Sequence, residues 1–393
     1  MKFSDAAERL KGQEMFQILA KTQELERAGK EILHFELGDP DFNTPDNITY
    51  AAIKSLSNGE THYSNSYGLL ELRETAAKAT ETGIRGFRPD LDQILVTPCA
   101  NIQIYYTLAC VANAGDEVII PDPSFVTYNS VAEFLGLKIV RVPLHEKNEF
   151  RLNPKDVEKM ITAKTKVIII NSPSNPTGAV MNEEEIREIF ELARKHDIFL
   201  LSDEVYRRIT YLDEETKFFS PSVYDLCKER TIVINGFSKS YAMTGWRLGV
   251  IMGPKELIKK MNLLLETTSS CVAPFIQKAG IEALKGSQER VNEMTNEYRK
   301  RRDIIVDGLN KLPGVKCVKP RGAFYVFPNI TGTGMTSKEF GDFMLYNAGV
   351  SIAPGPVFGN YGEGYVRFCY ANSIENIKKA LDKMKIALEN RNI

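Results

Sequence analysis

The loop Gly236-Phe237-Ser238-Lys239-Ser240-Tyr241-Ala242-Met243-Thr244-Gly245-Trp246-Arg247 carries an amine and a guanidinium, with the Ser238 hydroxyl beside the amine. Apolar runs at 231–235 and 248–252 enclose it, so it reads as a loop leaving a buried strand, where α/β folds hold ligands. Lys239 is either a surface residue whose stem follows the apolar sheet or an amine whose desolvation lowers its pKa for nucleophilic work.

Other stretches bear on that choice. Thr97-Pro98-Cys99-Ala100-Asn101 stands between a strand pattern and a helix pattern, where free backbone N–H groups and the helix dipole favour an anion. Helix starts are common, so this one alone settles nothing. Asn171-Ser172-Pro173-Ser174-Asn175-Pro176-Thr177-Gly178 follows the most apolar strand pattern, and its prolines hold the Asn175 amide at the strand's C-terminal edge, as a turn or as a donor to a ligand. Leu200-Leu201-Ser202-Asp203-Glu204-Val205-Tyr206 ends a strand that should be buried with a carboxylate. Burying it costs on the order of several kcal/mol unless it meets a cation or strong donors. Asp203 therefore caps a following helix or meets something like a protonated heterocyclic nitrogen.

The elements that must position these residues follow from periodicity. Strand patterns at 94–97, 117–120, 138–142, 166–171, 198–202, 231–235 and 248–252 are short and apolar, mostly without alternation, as in strands covered on both faces. Helix patterns fall at 101–113, 124–136, 154–162, 183–196 and 255–266. The expected class is α/β: a large domain with a mostly parallel seven-stranded sheet. A long helical stretch, 275–311, then leads to Phe324-Tyr325-Val326-Phe327, a helix at 337–347, a strand at 365–370 and a helix at 374–389, which suggests a smaller α+β domain. At the other end, a helix at 4–29 and a strand-like run at 32–37 precede helices at 46–57 and 69–82. The expected division is an N-terminal segment 1–45 contributing to the small domain, a large domain 46–280 and a small C-terminal domain 281–393.

A length of 393 residues suits roughly two or three domains. Hydrophobic residues at 43% and charged residues at 26% suit a globular chain with a large core. A formal net charge of −1 gives no reason to expect nucleic acid or an anionic membrane as partner. Arg299-Lys300-Arg301-Arg302, with Glu297 and Asp303 beside it, is expected to be a solvated helix face. The six cysteines are scattered, without CxxC pairs or zinc-type histidine spacing, so reduced thiols and no metal are expected. The polar, acid-bearing start resembles neither signal nor transit peptide, and no apolar run approaches the roughly 18 residues of a membrane helix. A cytoplasmic protein is expected. Phosphate-loop, HExxH and GxSxG motifs are missing, and Gly332-Thr333-Gly334 lacks the preceding strand and third glycine of a dinucleotide fingerprint.

An anion cup, an amide, a buried acid with a nearby phenol, and a lysine near an arginine thus fall at the C-terminal ends of strands in one sheet. Pyridoxal 5′-phosphate asks for that set: a phosphate site, a carboxylate for the pyridinium nitrogen, donors for the ring oxygen and an amine for the aldehyde. Gly236-x-Ser238-Lys239 is followed by Gly245-x-Arg247-Leu248-Gly249. Around it, in order, lie Gly38-Asp39-Pro40-Asp41-Phe42, Asn175-Pro176-Thr177-Gly178, Asp203-Glu204-Val205-Tyr206, Gly322-Ala323-Phe324-Tyr325 and Pro354-Gly355-x-x-Phe358-Gly359. With these motifs, over about residues 30–390, the chain resembles the class I/II pyridoxal-phosphate-dependent aminotransferases of the aspartate-aminotransferase-like fold.

The resemblance implies amino transfer from an amino acid to a 2-oxo acid in a ping-pong cycle between pyridoxal and pyridoxamine phosphate. It implies that Lys239 bonds the cofactor aldehyde and then shuttles the proton at the substrate Cα, and that Asp203 pairs with the pyridinium nitrogen. Tyr206 and Asn175 would hydrogen-bond the ring oxygen, and Phe125 would stack on the ring. The phosphate would take the Ala100 and Asn101 N–H groups, Ser238, Arg247 and, across a homodimer, Tyr63. Arg367 would clamp the substrate α-carboxylate, helped by the Gly38 N–H.

The chain departs from the family pattern at Cys99, where a glycine commonly starts the phosphate loop, and at Asn101, where acidic-substrate members can carry a lysine. Ser124-Phe125 replaces Tyr-Trp, and Gly12-Gln13-Glu14-Met15-Phe16 replaces a segment that closes over the substrate in relatives. A C–S lyase or decarboxylase on the same scaffold would use the same Lys239 and Asp203. A non-catalytic sensor of the same fold usually follows a DNA-binding domain, and with so short a stretch before residue 30 this alternative is not the expected one.

Overall fold

A computed structural model describes residues 2–10, 12, 14–84, 86–211 and 217–391. Gln13, in the segment expected to cover the substrate, lies outside the described residues. A short strand β1 (Leu33–His34) precedes β2 (Ile94–Thr97), β3 (Glu117–Asp122), β4 (Lys138–Pro143), β5 (Thr165–Asn171), β6 (Phe199–Asp203), β7 (Thr231–Gly236) and β8 (Gly249–Met252). The last seven form one sheet in the order β2-β8-β7-β6-β5-β3-β4. It is parallel from β4 to β7, and β8 runs antiparallel to both β7 and β2. The expected α/β architecture is the observed one.

Burial on both faces explains the unbroken apolar strands. In β5, Val167 and Ile169 enter one core cluster while Ile168 and Ile170 enter another. The helix Glu183–Lys195 covers the second of these faces with Ile186, Ile189, Phe190 and Ala193, and Asn182 with Glu185 closes a capping box at its start.

Beyond the sheet, the chain adds β9 (Tyr325–Val326), β10 (Val350–Ser351), β11 (Ala353–Pro354) and β12 (Val366–Cys369). The order β11-β12-β9 makes a small antiparallel sheet, and β1 pairs in parallel with β10. The strand-like run near residue 32 is therefore paired with the C-terminal part of the chain.

Several expectations change. The helix expected over 4–29 is two, Asp5–Glu8 and Glu14–Arg27, because the pieces dock on different surfaces. Arg9 donates to the Glu133 and Phe134 carbonyls at the end of the helix Val126–Phe134, whereas Lys21 and Thr22 bond Asp342 and Ser351. The stretch 275–311 divides into Pro274–Lys285 and Glu289–Leu309, parted where Gly286 turns extended (φ −72°, ψ −175°). The basic cluster is only half solvated. Arg299 and Lys300 face water, but helical spacing puts Arg301 and Arg302 on the buried face with Tyr298 and Ile305. Arg301 pairs with both Asp41 oxygens at 2.7 and 2.9 Å over the Phe42 ring, and Arg302 lies over Tyr211. Specific partners overrule the charge count there.

The six cysteines are free thiols. Among the described residues no helix is long and apolar enough to cross a membrane.

Candidate active site

The parallel strands end at one edge of the sheet, and their last residues meet there. Asn171 closes β5, Asp203 closes β6 and Gly236 closes β7, and Asn171 and Asp203 are partners in register. The Asn171 amide donates to the Asp203 carbonyl and accepts the Asn175 N–H, which fixes the loop that follows. These ends border a cleft of about 560 Å³. Gly38, Ala100, Asn101, Phe125, Asn175, Asp203, Tyr206, Ser238, Lys239, Arg247 and Arg367 all line it. Of the expected site residues only Tyr63 is elsewhere, 88% exposed on the surface.

Lys239 donates from Nζ to the Gly38 carbonyl at 2.6 Å. Desolvation pulls its pKa down to about 8, Asp39 opposes this, and Arg367 and Arg247 add to it. Of the two roles open to a lysine here, the reactive amine is the one this setting favours.

Asp203 is buried. Burial raises its pKa to about 6, against the Tyr128 hydroxyl at 2.5 Å on Oδ2 and the Val205 N–H at 3.2 Å on Oδ1. The Val205 bond is local backbone capping, but no cation pairs with this carboxylate among the described residues. Arg367, from β12, has the opposite problem. It is 1% exposed, and its donors reach the Asn175 side-chain oxygen at 3.0 Å, the Glu36 carbonyl and the Met15 sulfur at 3.4 Å. Its Nε has no partner, and Tyr325 and Phe358 hold the guanidinium between rings at 4.6 Å each. No carboxylate pairs with it among the described residues.

Residues 98–100 join β2 to a helix, as the sequence pattern predicts. The helix Asn101–Val111 starts after Ala100 without a side-chain cap, which leaves its first N–H groups available. Gly249 is what lets β8 approach this loop: a Cβ there would lie 2.7 Å from the Cys99 carbonyl carbon. Cys99 itself sits at φ 70°, in the left-handed region that favours glycine.

Sequence reasoning missed Tyr128 and assigned no role to Tyr325 or Asn171. Tyr128 lies three positions after Phe125, one helical turn on, and that spacing was the available signal. Tyr325 sits in the Gly322–Tyr325 motif, and its hydroxyl lies 2.7 Å from that of Tyr206. In the sequence, Met15 stands out only as part of the unusual 12–16 segment.

The family model described as aminotransferase class I and II matches residues 30–384. The chain belongs to the class I and II aminotransferases. It is an enzyme that transfers amino groups, and the lyase, decarboxylase and sensor alternatives are not favoured. This aminotransferase is 41% identical to aromatic-amino-acid aminotransferase 2 of Thermococcus litoralis over the whole of both chains. It is 42% identical to the aspartate aminotransferase of Pyrococcus horikoshii, over 94% of this chain and 95% of the relative. Its structure matches that of the Thermus thermophilus aspartate aminotransferase with maleate at a TM-score of 0.93 and 34% identity, covering 98% of this chain and all of the other. The family's enzymes use pyridoxal 5′-phosphate, whereas the relatives' names differ in substrate.

Proposed function

We propose that this aminotransferase binds pyridoxal 5′-phosphate in the cleft and moves an amino group from an amino acid to a 2-oxo acid in two alternating half-reactions. One observation carries the reading: Asp203 and Arg367 are buried opposite charges that pair with no other charge among the described residues, and the Lys239 amine opens on the same cleft. A cofactor with a basic ring nitrogen and a substrate with a carboxylate would supply what each lacks, so the residues fit the cofactor.

When bound, the cofactor's pyridine ring supplies an electron sink for negative charge at the substrate Cα. The protein's own groups do the rest. Asp203, ionised above about pH 6, would hold a proton on the ring nitrogen. Asn175 gives its oxygen to Arg367, which leaves its N–H2 group to donate to the ring oxygen beside Tyr206. Phe125 would stack on the ring, held edge-on by Tyr128. The Ala100 and Asn101 N–H groups, Ser238, Arg247 and Tyr63 of the partner subunit would hold the phosphate. Lys239 Nζ, partly neutral near pH 8, acts as nucleophile and then carries the proton at Cα. Arg367, with the Gly38 N–H, would bind the α-carboxylate. Gly38 has no room for a side chain, since a Cβ would meet the Tyr325 hydroxyl at 2.1 Å.

A homodimer is part of the reading, supported by Tyr63 and by Tyr50, Ile53 and Leu56, which stand exposed on the helix Asp46–Ser57. The pairing of β1 with β10 supports a small domain of 1–45 plus 281–393 beside a large domain of 46–280. The free thiols fit a cytoplasmic location.

The test is spectroscopic. Purified protein should show a visible absorbance band that bleaches on adding an amino-acid donor, and a colourless protein that takes up no pyridoxal phosphate would refute the reading. Arg367→Ala should raise the donor KM by about 100-fold while leaving cofactor affinity nearly unchanged.

A further inference from the structure

Building on this cofactor reading, we propose that the site prefers amino acids with uncharged, apolar side chains, and that Met15 forms part of the wall on which the side chain packs.

The cations of the cleft are already committed. Among its described lining residues they are Lys239, Arg247 and Arg367, and the proposed function commits them to the cofactor aldehyde and the Cα proton, the phosphate and the α-carboxylate. A second substrate carboxylate would need another cation, because a buried charge is tolerated only when paired. Asp39, a further lining residue, already acts electrostatically on Lys239 and would repel that second carboxylate.

The segments around Tyr63 add no lysine or arginine to this count. If the surface around Tyr63 completes the neighbouring cleft, it brings the loop 58–70 and the segment bonded to it, where Ser64 meets Cys271 and Val272 and Ser66 meets Glu266. Neither 58–70 nor 266–272 contains Lys or Arg, and His62 is the one side chain there able to become cationic. Both segments bring a glutamate instead, Glu60 and Glu266.

Besides the Asn175 and Glu36 oxygens, the Arg367 guanidinium meets only soft and apolar groups among the contacts described: the Met15 thioether on one donor and the Tyr325 and Phe358 rings on its faces. Met15 is held in place because its helix is tied down beyond it, through Lys21 to Asp342, Thr22 to Ser351 and Glu26 to His34. A thioether with three rotatable bonds adapts to apolar and aromatic shapes and offers nothing to an anion. Burying a Phe-sized or Leu-sized side chain there is worth roughly tenfold to a hundredfold in affinity.

The test uses the holoprotein and two readouts. By titration calorimetry, 3-phenylpropanoate should bind at least about tenfold tighter than succinate, and phenylalanine should bleach the absorbance band at a higher kcat/KM than aspartate by a similar factor. Met15→Ala should weaken 3-phenylpropanoate about fivefold, leave succinate unchanged, and raise KM for phenylalanine rather than lower kcat. Succinate binding as tightly as 3-phenylpropanoate, or aspartate reacting as fast as phenylalanine, overturns the inference and leaves the cofactor reading standing. Protein with no band and no cofactor uptake removes both. A Met15→Ala variant with unchanged discrimination removes Met15 from the wall.

Discussion

The Tyr128 hydroxyl donates a 2.5 Å hydrogen bond to Oδ2 of Asp203, and both groups are buried. The bond favours the ionised carboxylate against a burial that raises its pKa to about 6. Tyr128→Phe removes the donor, so the Asp203 pKa should rise further and less carboxylate should be ionised at neutral pH. A hydrogen bond to a charged group contributes about 1.5–3 kcal/mol, so the cofactor dissociation constant should rise at least about tenfold. An absorbance titration of the apoprotein measures it, and an unchanged constant would show that the bond does not tune the carboxylate.

Lys239 sets a second pH dependence. Its pKa is lowered to about 8, and only the neutral amine attacks a carbonyl. The rate at which the visible band appears when apoprotein meets pyridoxal phosphate should therefore climb with pH, with a midpoint near 8. A midpoint near the ordinary lysine value would mean that the cleft does not desolvate the amine.

His34 lies between two carboxylates, 2.8 Å from Glu36 and 2.9 Å from Glu26, and the Glu36 bond raises its pKa to about 9 despite opposing desolvation. Because the folded pKa lies above the unfolded one, the stabilisation is complete below about pH 6.5 and disappears as pH rises through about 9. The side chain is 37% exposed, so solvent screening cuts its contribution to roughly 1–2 kcal/mol. His34→Gln should lower stability by that amount in urea unfolding at pH 6 and by almost nothing at pH 10.

Cys99 holds a positive φ of 70° just before the helix Asn101–Val111. A β-branched residue tolerates that region worse than cysteine, so Cys99→Val should cost about 1–3 kcal/mol, whereas Cys99→Gly should be neutral or slightly stabilising. Urea unfolding of the two variants gives the comparison. Equal losses would mean that side-chain packing, not backbone strain, governs the position.

Much of this protein was legible in its sequence because the signals are local. Four consecutive apolar residues in β5 announce a strand buried on both faces, and the chemistry-bearing residues follow such runs directly. Helix breaks were less visible. The pattern over 4–29 continues across Gly12, and only the separate docking of Arg9 and Thr22 shows that the chain divides there. Arg301 and Arg302 read as surface charge because nothing near them in sequence reveals Asp41 or Tyr211 as partners.

Sequence alone carried the family, the strand-end positions of Lys239, Asp203 and Asn175, and the loop that leads from β2 into the helix Asn101–Val111. It did so because periodicity and motif spacing follow from backbone geometry within one element. Tertiary structure decided the rest. It put Tyr128 against Asp203, set Arg367 between two rings on a different sheet, and laid Met15 on that guanidinium across 352 positions of chain. Burial and electrostatics depend on which groups share a volume, and that is fixed only when distant segments pack together.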